Sequence, residues 1–164
     1  MGSVSVPVST DAFKSAMRRF ATGVCIVTTE HDGTVYGFTV NAFASVSAEP
    51  PTVLVCVNRS ATAHPLISAA GHFCVNVLGV EHRALAERFA GGDKTTRFAA
   101  VDYRLGPGGS PILSGMLAYF DCTLAEEHSA GTHTIFVGSV IEAGDRAGAP
   151  LGYFDRGYHD FALG

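Results

Sequence analysis

The chain has 164 residues, 47% of them hydrophobic and 16% charged, the size and composition of one domain with a sizeable core. A formal net charge of −4 and a pI near 5.9 offer no basic footprint for a polyphosphate backbone, which excludes nucleic acid as an expected partner. No run approaches the roughly 18 consecutive apolar residues that a spanning helix needs, so no membrane partner is expected either.

Residues 1–10 read as a flexible arm and residues 11–164 as a single domain. The opening MGSVSVPVS lacks the charged start and apolar run of a secretory signal, and Val6 stands where a myristoylation site needs Ser or Thr, so the expected location is cytoplasmic. Thr10 and Asp11 mark a helix start. Phe13, Met17 and Phe20 follow at helical spacing, with Lys14, Arg18 and Arg19 off the stripe, and the helix is expected to lie against the body.

Runs rich in β-branched and aromatic residues come next, at 23–29, 34–40, 51–58, 72–78, 116–124 and 132–143. Asp32-Gly33 is a hairpin signal between the first two, and EEHSAG, from about 125, reads as the turn between the last two. Strands joined this tightly are antiparallel. Helical pieces are expected near 62–70 and over 81–90, where Leu85 and Phe89 share a face, and GPGGSP at 106–111 is a turn-rich excursion. Many short strands, few helices and mostly hairpin connections predict a closed antiparallel barrel with helices plugging its ends.

The stretch GFTVNAFASVS, residues 37–47, reads as one extended segment with two faces. Thr39, Asn41, Phe43, Ser45 and Ser47 share one parity, and Phe38, Val40, Ala42, Ala44 and Val46 the other. The first set is either a solvated strand face or a lining for a flat, partly apolar ligand with carbonyl and N–H edges. In VNRSATAHP, 57–65, Pro65 suits a first helical turn, so a helix is expected from near Thr62. Its open N–H groups, the hydroxyls of Ser60 and Thr62, and Arg59 form either an ordinary cap or a phosphate site.

Other chemistries find little support. The segment 106–111 ends in Pro111 where a dinucleotide fingerprint needs glycine, and no G-x-S-x-G elbow occurs. Cys25, Cys56, Cys74 and Cys122 are scattered singly, three of them as expected core hydrophobes. His128, His133, His159 and Cys122 follow no zinc spacing, so no metal is expected, and His133 reads instead as a polar group at a cleft mouth.

Several blocks in order, ATGVCIVTT, GFTVNAFASVSAEPPTVLVCVN, NRSATAHPLI, GHFCVNVL, RFAG, GTHTIFVGSV and PLGYFDRGYH, resemble the short-chain flavin reductase family over about residues 11–161. That family comprises NAD(P)H-dependent partners of two-component flavin monooxygenases. The resemblance implies a mainly β fold with flanking helices, a six-stranded antiparallel split barrel of Greek-key, FMN-binding type. It also implies a homodimer holding FMN or FAD near the subunit interface. Carried onto this chain, Thr39, Val40, Asn41 and Ala42 would line the isoalloxazine edge, with Ser45, Val46 and Ser47 along the ribityl and phosphate. Cys56, Val57 and Asn58 would flank the ring, Ser60 and Thr62 would hold phosphate, and Phe89 would pack nearby. Family members often carry Gly-Asp-His before the last long strand, where this chain has Gly131-Thr132-His133. Gly131, His133 and Tyr158 would meet the nicotinamide, with His133 as the active-site side chain.

The implied activity is hydride transfer from NADH or NADPH to FMN or FAD, supplying reduced flavin to a partner monooxygenase. That step needs oriented rings and excluded water rather than a side-chain acid or base. Two alternatives stay open: a split-barrel flavoprotein that keeps its flavin and acts on another substrate, as pyridoxamine phosphate oxidase relatives do, and a non-catalytic flavin binder.

Overall fold

A computed structural model describes residues 5–161. The arm expected over residues 1–10 therefore lies in part, at 1–4, outside the described residues. Ser9 caps the first helix, α1 (Thr10–Met17), with its hydroxyl accepting from the Ala12 N–H at 3.2 Å. Strands β1 (Thr22–Gly23), β2 (Cys25–His31), β3 (Thr34–Val40), β4 (Phe43–Ala48) and β5 (Pro51–Asn58) follow. Helix α2 (His64–Ala70), β6 (His72–Val77) and α3 (Arg83–Ala90) come next, then β7 (Tyr103–Leu105) and β8 (Pro111–Leu113). The chain closes with β9 (Ala118–Ala130), β10 (His133–Asp145), β11 (Leu151–Phe154) and β12 (Gly157–Asp160).

Seven strands form one antiparallel sheet in the order β3-β2-β6-β9-β10-β5-β4. Only Asn41 and Ala42 separate β3 from β4 in sequence, yet these strands stand at opposite edges of that sheet. The sheet must therefore curl until its edges meet, closed by a covalent corner rather than by a ladder between β3 and β4. This is the split barrel implied by the resemblance. All six runs read as strands are strands, and β4 is added to them.

The corner corrects the reading of residues 37–47 as one extended segment. Because the chain turns at Asn41 and Ala42, Phe43 does not continue the face of Thr39: it packs on the barrel core beside Phe38 and Val40, its ring 5.6 Å from that of Phe120. A second irregularity, between Ser45 and Ser47, breaks the parity again.

Inside the barrel lie Cys25, Val27, Val55, Val57, Phe73, Val75, Cys122 and Phe136. A second cluster, Val24, Ile26, Leu78, Ala86, Phe89, Leu113 and Leu151, fills the space where α3, β8 and β11 cover the outside. Consecutive residues 24–27 alternate between these clusters, so both faces of β2 are buried and its sequence reads as an unbroken apolar run. Burial pushes the thiols of Cys25 and Cys122 up to about 12 and raises that of Cys74 as well, in keeping with their expected role as hydrophobes.

Hairpin β2–β3 turns through Asp32 (φ 52°) and Gly33 (φ 78°), the consecutive left-handed residues that an Asp-Gly signal predicts. Three expectations need correction. Residues 125–130 continue β9 instead of forming a turn, because 126–130 pair with β10 up to Gly131 and Thr132, with Ala125 bulged out of the ladder. The middle helix starts at His64, with Pro65 in its first turn, not near Thr62. Helix α1 has no buried residue, and Phe13 (56% exposed), Met17 (49%) and Phe20 (66%) leave its apolar stripe uncovered.

Candidate functional site

The corner between β3 and β4 is held by two main-chain bonds: Phe43 N–H donates to Asn41 O at 3.0 Å, and Cys56 N–H to Ala42 O at 3.0 Å. Among the described residues, the N–H groups of Asn41 and Ala42 donate to no one, and the exposed Asn41 carboxamide is equally unengaged. The chain thus presents two main-chain donors and a group that both donates and accepts, at a point where the sheet edge offers no partner strand.

Three depressions meet at Asn41. One, of about 520 Å³, is walled by Cys25, Phe43, Ala44, Leu54, Cys56 and Val77. A second, of about 730 Å³, reaches from Asn41, Ala42 and Cys56 past His133 and Ile135 to α1 and the β11–β12 turn. A third and smaller one, of about 200 Å³, holds Thr39, Val40, Ala90, Tyr153 and Tyr158. The walls are mostly apolar and the polar groups few and directional, which suits a flat ring with a hydrogen-bonding edge. An isoalloxazine has carbonyl oxygens and ring nitrogens that accept and one N–H that donates, and the donor set at Asn41 and Ala42 complements that edge. The residues present fit a flavin.

Of the residues singled out from sequence, Thr39, Asn41, Ala42, Cys56, His133 and Tyr158 converge on these depressions. The Thr39 hydroxyl donates to Ala86 O at 2.7 Å, tying α3 to the edge of β3. Cys56 is half-buried, and burial raises its thiol, so it forms a neutral wall. His133 stands opposite Asn58 in the β10–β5 ladder, its Nδ1 2.9 Å from Thr132 Oγ1. Gly131 does not line the cleft with it: φ 58° there makes the turn, whose carbonyls accept from Arg59, the guanidinium at Gly131 O and the N–H at Thr132 O. Tyr158 packs edge-on against Tyr153 at 5.6 Å, and burial first, then Tyr153, raises its phenol, which stays a donor.

Other residues are placed elsewhere. Val57 is 2% exposed inside the barrel, because β5 alternates and Cys56 takes the outward position. Phe89 is wholly buried in the outer core, 5.1 Å from Phe98, and lines none of these depressions. Val40 packs on the barrel core and borders the smallest depression as well. Ser45, Val46 and Ser47 lie along the exposed edge strand beyond the reach of the depressions, with Ser47 Oγ accepting from Glu49 N–H at 3.1 Å.

The phosphate reading at α2 is also revised. Asn58 Oδ1 accepts from the Ser60 N–H (2.9 Å) and hydroxyl (2.8 Å), and Arg59 is spent on Gly131. Thr62 instead accepts from Lys94 in a separate cleft of about 660 Å³ that runs along residues 34–38 of β3. There the buried Arg97 guanidinium donates to Gly37 O (2.9 Å) and Gly91 O (3.2 Å). Sequence reasoning missed Lys94, Arg97 and Tyr153. The Lys-x-x-Arg spacing in DKTTRF, just after two glycines, was the available signal for the first two.

Comparison with known proteins shows the family. Residues 17–162 match the family described as "Flavin reductase like domain". The "FMN reductase (NADH) RutF" of Stutzerimonas stutzeri is 43% identical over 157 residues, covering 94% of this chain and 90% of that protein. The "Flavin-dependent monooxygenase, reductase subunit HsaB" of Mycobacterium tuberculosis is 39% identical over 137 residues, covering 84% and 73%. Among solved structures, the NADH:FAD oxidoreductase SgcE6 of Streptomyces globisporus superposes with a TM-score of 0.89 at 32% identity and covers 99% of each chain.

Proposed function

This chain belongs to the flavin reductase-like family, and on that premise we propose that it transfers a hydride from NADH or NADPH to FMN or FAD and supplies the reduced flavin to a partner monooxygenase. The observation that carries this reading is the corner at Asn41 and Ala42, where main-chain donors and a carboxamide with no partner among the described residues border an apolar depression. The names of the relatives include both flavins, FMN for RutF and FAD for SgcE6, and NADH for both.

When bound, the flavin supplies a two-electron acceptor at its N5 for the hydride of the nicotinamide. The chain's own work is orientation. Asn41 and the N–H of Ala42 fix the ring edge, Cys56 and the apolar wall keep water out, and His133 and Tyr158 receive the nicotinamide in the adjoining depressions. No side chain need take or give a proton in that step. Residues 34–38 of β3 run from the corner toward the cleft of Thr62, Lys94 and Arg97 at about 3.3 Å per residue. Lys94 and Thr62 would hold the phosphate of a flavin laid along that edge, whereas Ser60, engaged by Asn58, does not line that cleft.

The protein acts as a homodimer in this reading, supported by the uncovered stripe of Phe13, Met17 and Phe20. A cytoplasmic location belongs to the same proposal; among the described residues no helix is long and apolar enough to cross a membrane.

Anaerobic mixing of the purified protein with NADH and each flavin in turn tests the activity. Bleaching of the flavin absorbance is the expected result. A protein that binds flavin yet leaves NADH unoxidised would instead be the non-catalytic binder.

A further inference from the structure

Resting on the reading of a reduced nicotinamide dinucleotide as hydride donor, we propose that Arg18, Arg156 and Lys14 form the site for the donor's pyrophosphate bridge. All three line the 730 Å³ cleft that begins at Asn41 and passes His133. A donor with its reactive ring between those two residues carries its charged centre toward this mouth.

The local charge is the first support. The chain as a whole is acidic, at −4, yet the basic groups bordering this cleft are Lys14, Arg18, Arg156 and His133 against one carboxylate, Asp155. That carboxylate lies 3.6 Å from Arg19, so part of its charge is already answered outside the trio. A cleft that inverts the sign of its own protein attracts a dianion, and guanidinium groups match phosphate oxygens two at a time.

Arg18 gives the second support. Its Nε is buried and bonded to no described residue, while its carbonyl accepts from Asp155 N–H at 3.2 Å and thereby fastens the β11–β12 turn to the end of α1. The main chain at Arg18 is anchored, and its guanidinium, which borders the cleft, makes no hydrogen bond or ion pair among the described residues.

The third is the backbone of Arg156. It sits at φ 67° directly after Asp155 at φ 47°, in a two-residue turn where the left-handed conformation favours glycine over a branched-off side chain. Glycine would serve the turn better. A long cation held there against backbone preference, beside a cleft of opposite need, marks a position kept for what its side chain contacts.

The experiment compares NADH with reduced nicotinamide mononucleotide, which has the same reacting ring and no pyrophosphate. Arg156→Gly suits the turn and leaves the fold intact; Arg18→Gln keeps an amide donor but removes the charge. Each is expected to raise KM for NADH about threefold to tenfold with kcat and flavin affinity unchanged. KM for the mononucleotide should not move, and the NADH effect should shrink at high salt. Calorimetric titration with ADP supplies a readout independent of turnover: wild type binds it, and the double variant does not.

Unchanged KM for NADH in active Arg156→Gly and Arg18→Gln overturns the proposal. So does an equal rise for both donors, which would mean a role in ring placement, or an effect confined to NADPH, which would assign the trio to the 2′-phosphate. Failure of the wild type to oxidise NADH would sink the proposed function instead, and the ADP titration would still report on the cation site by itself.

Discussion

At the scale of single residues, Asn41 matters most because its surroundings leave it nothing else to do. Its carboxamide is exposed and makes no bond among the described residues, so removing it costs the fold little. Asn41→Ala is expected to weaken flavin binding about tenfold, the value of a directed hydrogen bond lost from a ligand, with Tm unchanged. Quenching of flavin fluorescence on titration measures it, and equal affinity would remove Asn41 from the ring edge. His133 is the residue proposed to meet the other ligand. Thr132 replaces the acidic neighbour usual in the family, so the hydrogen-bond partner of Nδ1 is a neutral hydroxyl at 2.9 Å. His133→Ala should raise KM for NADH more than it lowers flavin affinity; unaltered NADH kinetics would discredit its assignment.

At the scale of elements, the site depends on how closely α3 approaches β3. Gly37 makes that approach possible: a Cβ built there would lie 2.6 Å from Phe89 Cε1 and 3.1 Å from Phe98 Cζ, and Phe89 is wholly buried. Gly37→Ala is expected to cost about 1–3 kcal/mol of stability through overpacking, read as a lowered midpoint in urea. The same displacement would move Thr39, bonded to Ala86, and with it the corner, so flavin affinity should fall together with stability. A variant as stable as wild type would show that α3 is free to shift.

At the scale of the whole molecule, two features bear on pH and assembly. Asp121 is fully buried on β9 under the 106–111 excursion, where its Oδ2 accepts from Gly108 N–H at 2.8 Å and its Oδ1 has no partner among the described residues. Desolvation raises its carboxyl above the ordinary value near 3.8, with the Gly108 bond opposing. Because the folded state then holds the proton longer than the unfolded chain does, stability falls as pH rises from that ordinary value through the raised one, and levels off above it. Asp121→Asn keeps an acceptor for Gly108 and should remove this slope, giving a higher Tm than wild type at neutral pH. Identical Tm curves against pH would contradict the assignment. For assembly, Phe13→Glu with Met17→Glu should lower the sedimenting mass to that of one chain, whereas an undiminished mass would mean the stripe of α1 lies outside any interface.

Much of this was legible in the sequence, for reasons that are local. Chain-neighbour geometry set the Asp32-Gly33 hairpin, the apolar runs of β2 and β6, and the place of Pro65, because φ/ψ preference and burial of alternate residues act over a few positions. Blocks of residues in order identified the family, and with it the flavin and the hydride donor. What only the tertiary structure decided concerns residues distant in sequence. Strand parity cannot show that Asn41 and Ala42 are a corner, since that follows from β3 and β4 pairing with different strands on opposite edges of the sheet. Nor can it show that Phe89 serves the outer core, that Thr62 answers Lys94 while Arg59 answers Gly131, or that Lys14, Arg18 and Arg156 share one cleft. Each of these is a contact made across more than twenty residues of chain or decided by which face of an element is covered, and closure of the sheet, not local preference, brings such groups together.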